Sequence, residues 1–330
     1  MRLVFFSKNI VKYTALLAFI VVIVGAYTRL TDAGLGCPDW PGCYGQLLVP
    51  ESKMDISLAT SLYPEQPIEV SKAKTEMFHR YLASTLGFMI LIIAFLGLKS
   101  PKKSIKILSF TLVGLVLFQG MLGMWTVTLR LLPVVVMGHL LGGLATLSLL
   151  WLLYLMYRST ASTLPTSFPP SPLLKNFALF SLVAVIIQLA LGGWTSANYA
   201  ALACPDFPHC LGQYVPAELD FNQAFNLFSG IGLKFPTLAI DNTARVTIHF
   251  MHRLGAIGVC GLVLVTSFLL YRQKLRRFAL ILLFILILQL CLGITNVLAH
   301  LPLIIAVMHN GVGALLLLSL VSLNYEIKKL

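Results

Sequence analysis

Eight stretches of predominantly apolar residues recur along this chain, and each is long enough to cross a hydrocarbon core of about 30 Å as a helix. Within lipid every backbone N–H and C=O needs a partner from the chain itself, which leaves helices or closed barrels. The uninterrupted Leu/Ile/Val runs lack the alternation of barrel strands, so the chain reads as an all-α polytopic membrane protein. The spans are expected near 11–30, 75–98, 106–128, 132–157, 174–197, 244–271, 278–298 and 301–323. Composition agrees: 58% of residues are hydrophobic and 11% charged, against about 25% charged in soluble proteins. The first stretch is read as a span and not a signal peptide, because Val24 to Arg29 lead into a glycine-rich loop without an Ala-x-Ala cleavage pattern.

Charge predicts the orientation. Fifteen of the 24 Lys/Arg lie at the two termini and in the segments near 99–106, 158–175 and 271–277, accompanied there by the single acid Glu326. Basic residues accumulate on the cytoplasmic side of membrane proteins. Both termini are therefore expected in the cytoplasm, with the long loops 31–74 and 198–243 outside. A pI near 9.5 then reports topology and not nucleic-acid binding, since the basic residues are split into short flanks and form no continuous groove. Cys37, Cys43, Cys204 and Cys210 fall in the two outer loops, where an oxidising exterior permits disulfides. Cys260 and Cys291 fall inside spans and read as small apolar filler.

The two outer loops are copies. Cys37-Pro38-Asp39-Trp40-Pro41-Gly42-Cys43-Tyr44-Gly45-Gln46 aligns with Cys204-Pro205-Asp206-Phe207-Pro208-His209-Cys210-Leu211-Gly212-Gln213 at an offset of 167, and Thr28 pairs with Thr195. Further matches follow at slightly larger offsets, as loop insertions produce. His79-Arg80 matches His252-Arg253 at 173, while Gln119, Gly123, Val127, His139 and Gly143 match Gln289, Gly293, Val297, His309 and Gly313 at 170. Each half carries an even number of spans, so the repeats run parallel, related by an axis along the membrane normal. The expected units are two pseudo-symmetric four-helix bundles, 1–160 and 161–330, joined by the Pro- and Ser/Thr-rich linker 158–173.

The duplication organises the histidines. His79, His139, His252 and His309 occur in register, two per half, on different helices at similar depth toward the outer side. Two imidazoles facing each other across a four-helix bundle suit a six-coordinate haem iron, which takes one axial nitrogen from each side of a flat macrocycle. Gly142, Gly143, Gly311, Gly313, Gly87 and Gly255 are expected to make room for it, and Arg80 and Arg253 are candidate partners for its propionates. A lone intramembrane histidine is ordinarily a structural hydrogen-bonder; four in duplicated register argue otherwise. Zinc would ask for three or four converging ligands, and a di-iron site for glutamates from several helices. The asymmetry between the halves is as informative as the match. Glu76 lies three residues before His79, hence on the same helical face, where the second half has His249. A carboxylate at the membrane edge is a functional candidate, able to move a proton or stabilise developing positive charge.

Taken together, Gly34 to Cys43, Glu76-x-x-His79-Arg80, His139, Cys204 to Cys210, His252-Arg253 and His309-Asn310 resemble bacterial heme A synthase, an enzyme of cytochrome oxidase biogenesis, over nearly the whole chain. The resemblance implies that the C-terminal pair His252 and His309 ligates a heme b cofactor. It implies that His79 and His139 hold the substrate, heme O, whose ring methyl is oxidised through a hydroxymethyl to a formyl group to give heme A, with Glu76 as the catalytic carboxylate. Cys37–Cys43 would be the family's loop disulfide and Cys204–Cys210 a second one, placing the chain in a four-cysteine type. Implied partners are heme O synthase (a protoheme farnesyltransferase), a terminal oxidase or its assembly factors, an electron acceptor of quinone or thiol type, and a second copy of the chain in a homo-oligomer, all at the bacterial inner membrane. The histidine pattern alone also suits a bis-heme cytochrome b-like electron carrier, the alternative that Glu76 argues against. A heme chaperone and a small-molecule transporter leave either the carboxylate or the duplicated histidines unexplained.

Overall fold

The computed structural model describes residues 2–158, 169–229 and 240–329. Its helices are α1 (Arg2–Leu30), α2 (Lys53–Leu62), α3 (Val70–Leu98), α4 (Lys103–Thr128), α5 (Pro133–Arg158), α6 (Pro172–Ala197), α7 (Phe221–Ala224), α8 (Asn242–Arg272), α9 (Arg276–Leu298) and α10 (Leu303–Lys329). Eight of these are long and apolar enough to cross a membrane, and they match the eight expected spans. The boundary at 160/161 and most of the linker 158–173 lie outside the described residues.

The differences from expectation are at helix ends and in the first outer loop. Helix α10 continues through Glu326, Lys328 and Lys329, because hydrogen bonding within a helix does not stop at the edge of the apolar run and basic residues suit a C-terminus. In the loop, Ser52 caps α2 by accepting from the amide of Asp55 at 3.1 Å. Ten residues are too few to register as a span, yet Met54, Leu58 and Leu62 form an exposed apolar stripe at helical spacing.

Spans α1, α3, α4 and α5 neighbour one another in a closed ring, and α6, α8, α9 and α10 form a second ring in the same cyclic order. The rings meet through α1 against α10, α5 against α6 and α5 against α10. Helix α10 is consequently the most enclosed span, with 50% of its apolar window buried against 22 to 28% elsewhere. Lipid offers helices no hydrophobic drive to associate, so small residues and side-chain hydrogen bonds carry the packing. At the junction a Cβ on Gly193 would stand 2.7 Å from Leu140, and one on Gly311 would stand 2.5 Å from Ile23. Trp151 of α5 donates to Ser322 of α10 at 2.7 Å, and within the second ring Ser181 and Thr266 share a hydrogen bond of 2.8 Å.

Repeat-equivalent turns have equivalent geometry. Arg130 and Leu131 between α4 and α5, and His300 and Leu301 between α9 and α10, occupy left-handed backbone conformations. Each turn is closed by an amide reaching back to the preceding helix, Leu131 to Thr126 and Leu301 to Asn296. His300 is therefore a turn residue. In the cysteine loops, the turns Cys43–Gln46 and Cys210–Gln213 place two positive-φ residues in the middle, Tyr44-Gly45 and Leu211-Gly212. Asp39 accepts from the amides of Tyr44 and Gly45, and Asp206 from those of Leu211 and Gly212. Cys37 and Cys43 are at bonding distance, as are Cys204 and Cys210.

Candidate functional site

His79 on α3 and His139 on α5 stand on one diagonal of the first ring, their ring centres 6.4 Å apart and their planes at 85°. The other diagonal supplies glycine. A Cβ on Gly25 of α1 would lie 2.9 Å from the Cε1 of His79, and one on Gly123 of α4 would lie 3.5 Å from that of His139. The second ring repeats the plan. His252 stands on α8 and His309 on α10, and the glycines are Gly192 on α6 and Gly293 on α9, each 3.1 Å by the same measure. The glycines that seat the imidazoles thus differ from those expected. Gly142, Gly255 and Gly313 accommodate the carboxamides of Gln119, Gln188 and Gln289, and Gly311 serves the junction between the rings. The signal was present in the sequence for Gly123 and Gly293, which match in the repeat, and for Gly25 and Gly192, which stand 167 apart.

These surroundings fit a metal between the rings of the first pair, and the second pair repeats their plan. Two metal–imidazole bonds of about 2 Å, with the inner half of a ring beyond each nitrogen, span about 6 Å between ring centres, close to the separation of His79 and His139. The buried Nδ1 atoms of His79, His139 and His309 have no hydrogen-bond partner among the described residues. No three His, Cys, Asp or Glu side chains converge among the described residues, which leaves a paired-imidazole site as the donor geometry on offer.

Above the first pair sits Glu76, with 4% of its surface exposed. It accepts from the amide of Cys37 at 2.9 Å and forms an ion pair with Arg80 one turn on. Arg80 also donates to the carbonyls of Asp39, Pro41 and Gly42. One guanidinium therefore ties the carboxylate to the disulfide loop. Gly36 lets that loop approach, since a Cβ there would lie 2.6 Å from the backbone carbon of Lys72. In the second half His249 takes the place of Glu76: the Cys204 amide and the Nε of Arg253 each lie 3.2 Å from its ring nitrogens. Arg253 donates to the carbonyls of His209 and Cys204. A neutral imidazole accepts at only one nitrogen, so His249 fills the position without the charge and without satisfying both donors. Neither arginine was expected to carry a loop in this way, because the contacts join residues some forty positions apart.

His209 packs its ring on Tyr214 at 4.4 Å, within the second loop. A cavity of ≈ 1070 Å³ lies beside the first site, its wall including Val24 and Tyr27 of α1, Phe78 and Tyr81 of α3 and Val307 of α10. It therefore borders the turns that carry His79 and His309.

Residues 8–321 match the family model COX15-CtaA, described as cytochrome oxidase assembly protein. The chain is 49% identical to a protein of Shewanella oneidensis named heme A synthase, over 96% of this chain and 95% of that one. It is 29% identical to the heme A synthase of Neorickettsia sennetsu over 92% of this chain and 93% of that one. With the heme A synthase of Caulobacter vibrioides it shares 27% identity over 96% and 94%.

Proposed function

The chain belongs to the COX15-CtaA family of cytochrome oxidase assembly proteins, and from that premise we propose that it oxidises the ring methyl of heme O to a formyl group, making heme A for terminal oxidases. It is a multi-pass protein of the bacterial inner membrane. His79 and His139 hold the substrate, and His252 and His309 hold heme b. Iron at the second pair supplies one-electron chemistry when bound; the protein supplies position, proton handling and exclusion of water.

The observation that carries this assignment is the difference in charge at one matching place in the two surroundings, Glu76 against His249. Converting a methyl to a formyl group with oxygen from water releases four electrons and four protons to an external acceptor, a quinone or the disulfide form of a thiol redox partner. A buried carboxylate beside one imidazole pair can take a proton from that water and oppose positive charge developing at the methyl carbon. Its ion pair with Arg80 and its bond to the Cys37 amide hold it in one orientation. An imidazole at the same place in the second half offers no such charge, which suits a site that keeps its heme and does no chemistry on it. An electron carrier needs no carboxylate at either pair.

Arg80 and Arg253 keep the role of propionate partners as a secondary one, since most of their donors serve the loops. The cavity beside α1 and α3 is the side from which an apolar substrate enters from lipid. The two rings correspond to two four-helix units that arose by duplication, with both termini cytoplasmic and the disulfide loops outside. Upstream stands heme O synthase, downstream the oxidase or its assembly factors, and the unit of assembly is a homo-oligomer.

The test is purification from cells that make heme O, followed by chromatography of the extracted pigment before and after turnover. Hydroxylated heme and heme A are expected. Recovery of unmodified heme b alone from both sites would assign the protein to electron transfer instead.

A further inference from the structure

Three of the four paired imidazoles leave a buried Nδ1 without a partner among the described residues, and the fourth does not. The Nε2 of Gln188, on α6, lies 3.1 Å from Nδ1 of His252 and donates to the carbonyl of the same residue at 2.8 Å. Its seat is Gly255, where a Cβ would come within 2.2 Å of the Gln188 Oε1. Both members of this arrangement are missing from the first half. At the same repeat positions, 167 and 173 residues earlier, stand Val21 and Leu82. A valine has no hydrogen bond to give His79, and a leucine would fill the space the carboxamide needs.

We propose that Gln188 is the positioning residue that makes His252 and His309 the retaining pair, and that Val21 and Leu82 leave His79 free to release its heme. The inference rests on the assignment of a resident heme to the second ring and an exchanged one to the first. A ligating imidazole whose second nitrogen is held keeps its ring orientation and its basicity as a donor, so the iron dissociates less readily. With the heme held through Nε2 of His252, the proton would lie on Nδ1. Gln188 would then meet it with Oε1, an atom with no partner among the described residues, once its carboxamide turned and gave up its bond to the His252 carbonyl. His79, with nothing at Nδ1, turns and lets go at lower cost. An enzyme that must hold one heme through many turnovers and pass another on at each requires this difference, and imidazole ligation alone does not provide it.

The test uses the full-length protein in detergent, with His79 replaced by Ala so that only the second pair ligates. Heme b is supplied, and its loss to excess apomyoglobin is timed by absorbance. Gln188→Leu is expected to lose heme about 10- to 100-fold faster than its parent, with a raised midpoint potential. Gln188→Glu should restore retention and lower the potential, because a carboxylate accepts the Nδ1 proton more strongly. A Gly255→Val variant, which keeps the glutamine but removes its seat, should behave as Gln188→Leu. In the otherwise intact protein, Val21→Gln with Leu82→Gly should slow loss of added heme O from the first pair. Unchanged loss rates and potentials in Gln188→Leu and Gly255→Val would overturn the proposal, as would loss without a shift in potential that Gln188→Glu fails to repair. None of these readouts depends on methyl oxidation, so failure of the synthase assignment would show separately, as absence of heme A from the wild-type protein.

Discussion

The guanidinium of Arg29 donates to the carbonyl of Ser196 at 2.6 Å, and these two residues occupy the same place in the two halves, 167 positions apart. The neighbouring equivalents Asp32 and Tyr199 are likewise joined, at 2.8 Å, and Arg29 stacks on the Tyr199 ring at 4.2 Å. A residue of one repeat meets its own counterpart only beside the axis that relates the repeats. The outer ends of α1 and α6 are consequently joined by side chains that differ at matching positions. That distinction between the halves, laid over a common plan, recurs in the behaviour expected of the variants below.

Replacing Glu76 with Gln removes the charge while keeping a group that can still accept from the Cys37 amide. Heme content should remain near wild type, whereas conversion to heme A should fall by about 10²-fold or more, the range for loss of a general base. Pigment chromatography on the purified variant checks this; a normal heme A yield would remove Glu76 from the reaction. Glu76→His, which copies the second half, should fail in the same way.

Arg80→Ala strands a carboxylate that is almost wholly enclosed and frees three loop carbonyls. Removing one partner of a buried ion pair costs about 3–5 kcal/mol. The expected result is faster backbone exchange across residues 37–46, read by hydrogen–deuterium mass spectrometry, together with lost activity. Arg80→Lys should recover little, because a single ammonium cannot reach all four acceptors in the guanidinium's geometry.

Valine at Gly25 or at Gly192 places side-chain atoms where an imidazole now lies. The two variants should separate the sites. Gly25→Val is expected to weaken binding of added heme O by about 10- to 100-fold, the scale on which disturbed positioning of a ligating histidine changes metal affinity, while the resident low-spin spectrum persists. Gly192→Val should abolish that spectrum. Electron paramagnetic resonance of each variant distinguishes them, and identical losses would contradict the independence of the two pairs.

Gly36→Ala tests how the first loop reaches the site, since the added methyl would lie 2.6–2.7 Å from backbone atoms of Lys72 and Ala73. Backbone on both sides leaves no flexible side chain to yield. The loop should lift from α3, with Cys37 and Cys43 reduced more readily in a timed thiol-labelling assay and activity lost together with the Cys37 contact to Glu76.

The amides of Gly212 and Leu211 hold the Asp206 carboxyl below its ordinary range. A carboxylate favoured by the fold contributes above the ordinary value of 3.8, and its contribution is lost as pH falls through the lower folded value. The turn at Cys210–Gln213 should therefore survive at pH 4 in the wild type. Pepsin at that pH is expected to cleave near Leu211 in Asp206→Ala and to spare the parent.

Spans, repeat and histidine register were legible because each rests on local or periodic information. Crossing a bilayer requires a continuous apolar run, which any window along the chain exposes. The duplicated Cys-Pro-Asp loops likewise announce themselves in order, and the i,i+3 spacing of Glu76 and His79 settles their common face without reference to any other helix. The tertiary structure alone decided which glycine each imidazole rests on, that Arg80 joins Glu76 to loop carbonyls about forty residues away, and that Gln188 reaches His252 across 64 positions. Those contacts depend on how the helices of each ring are rotated about their axes. Rotation is set by close packing of side chains from several segments at once, and no single stretch of sequence contains it.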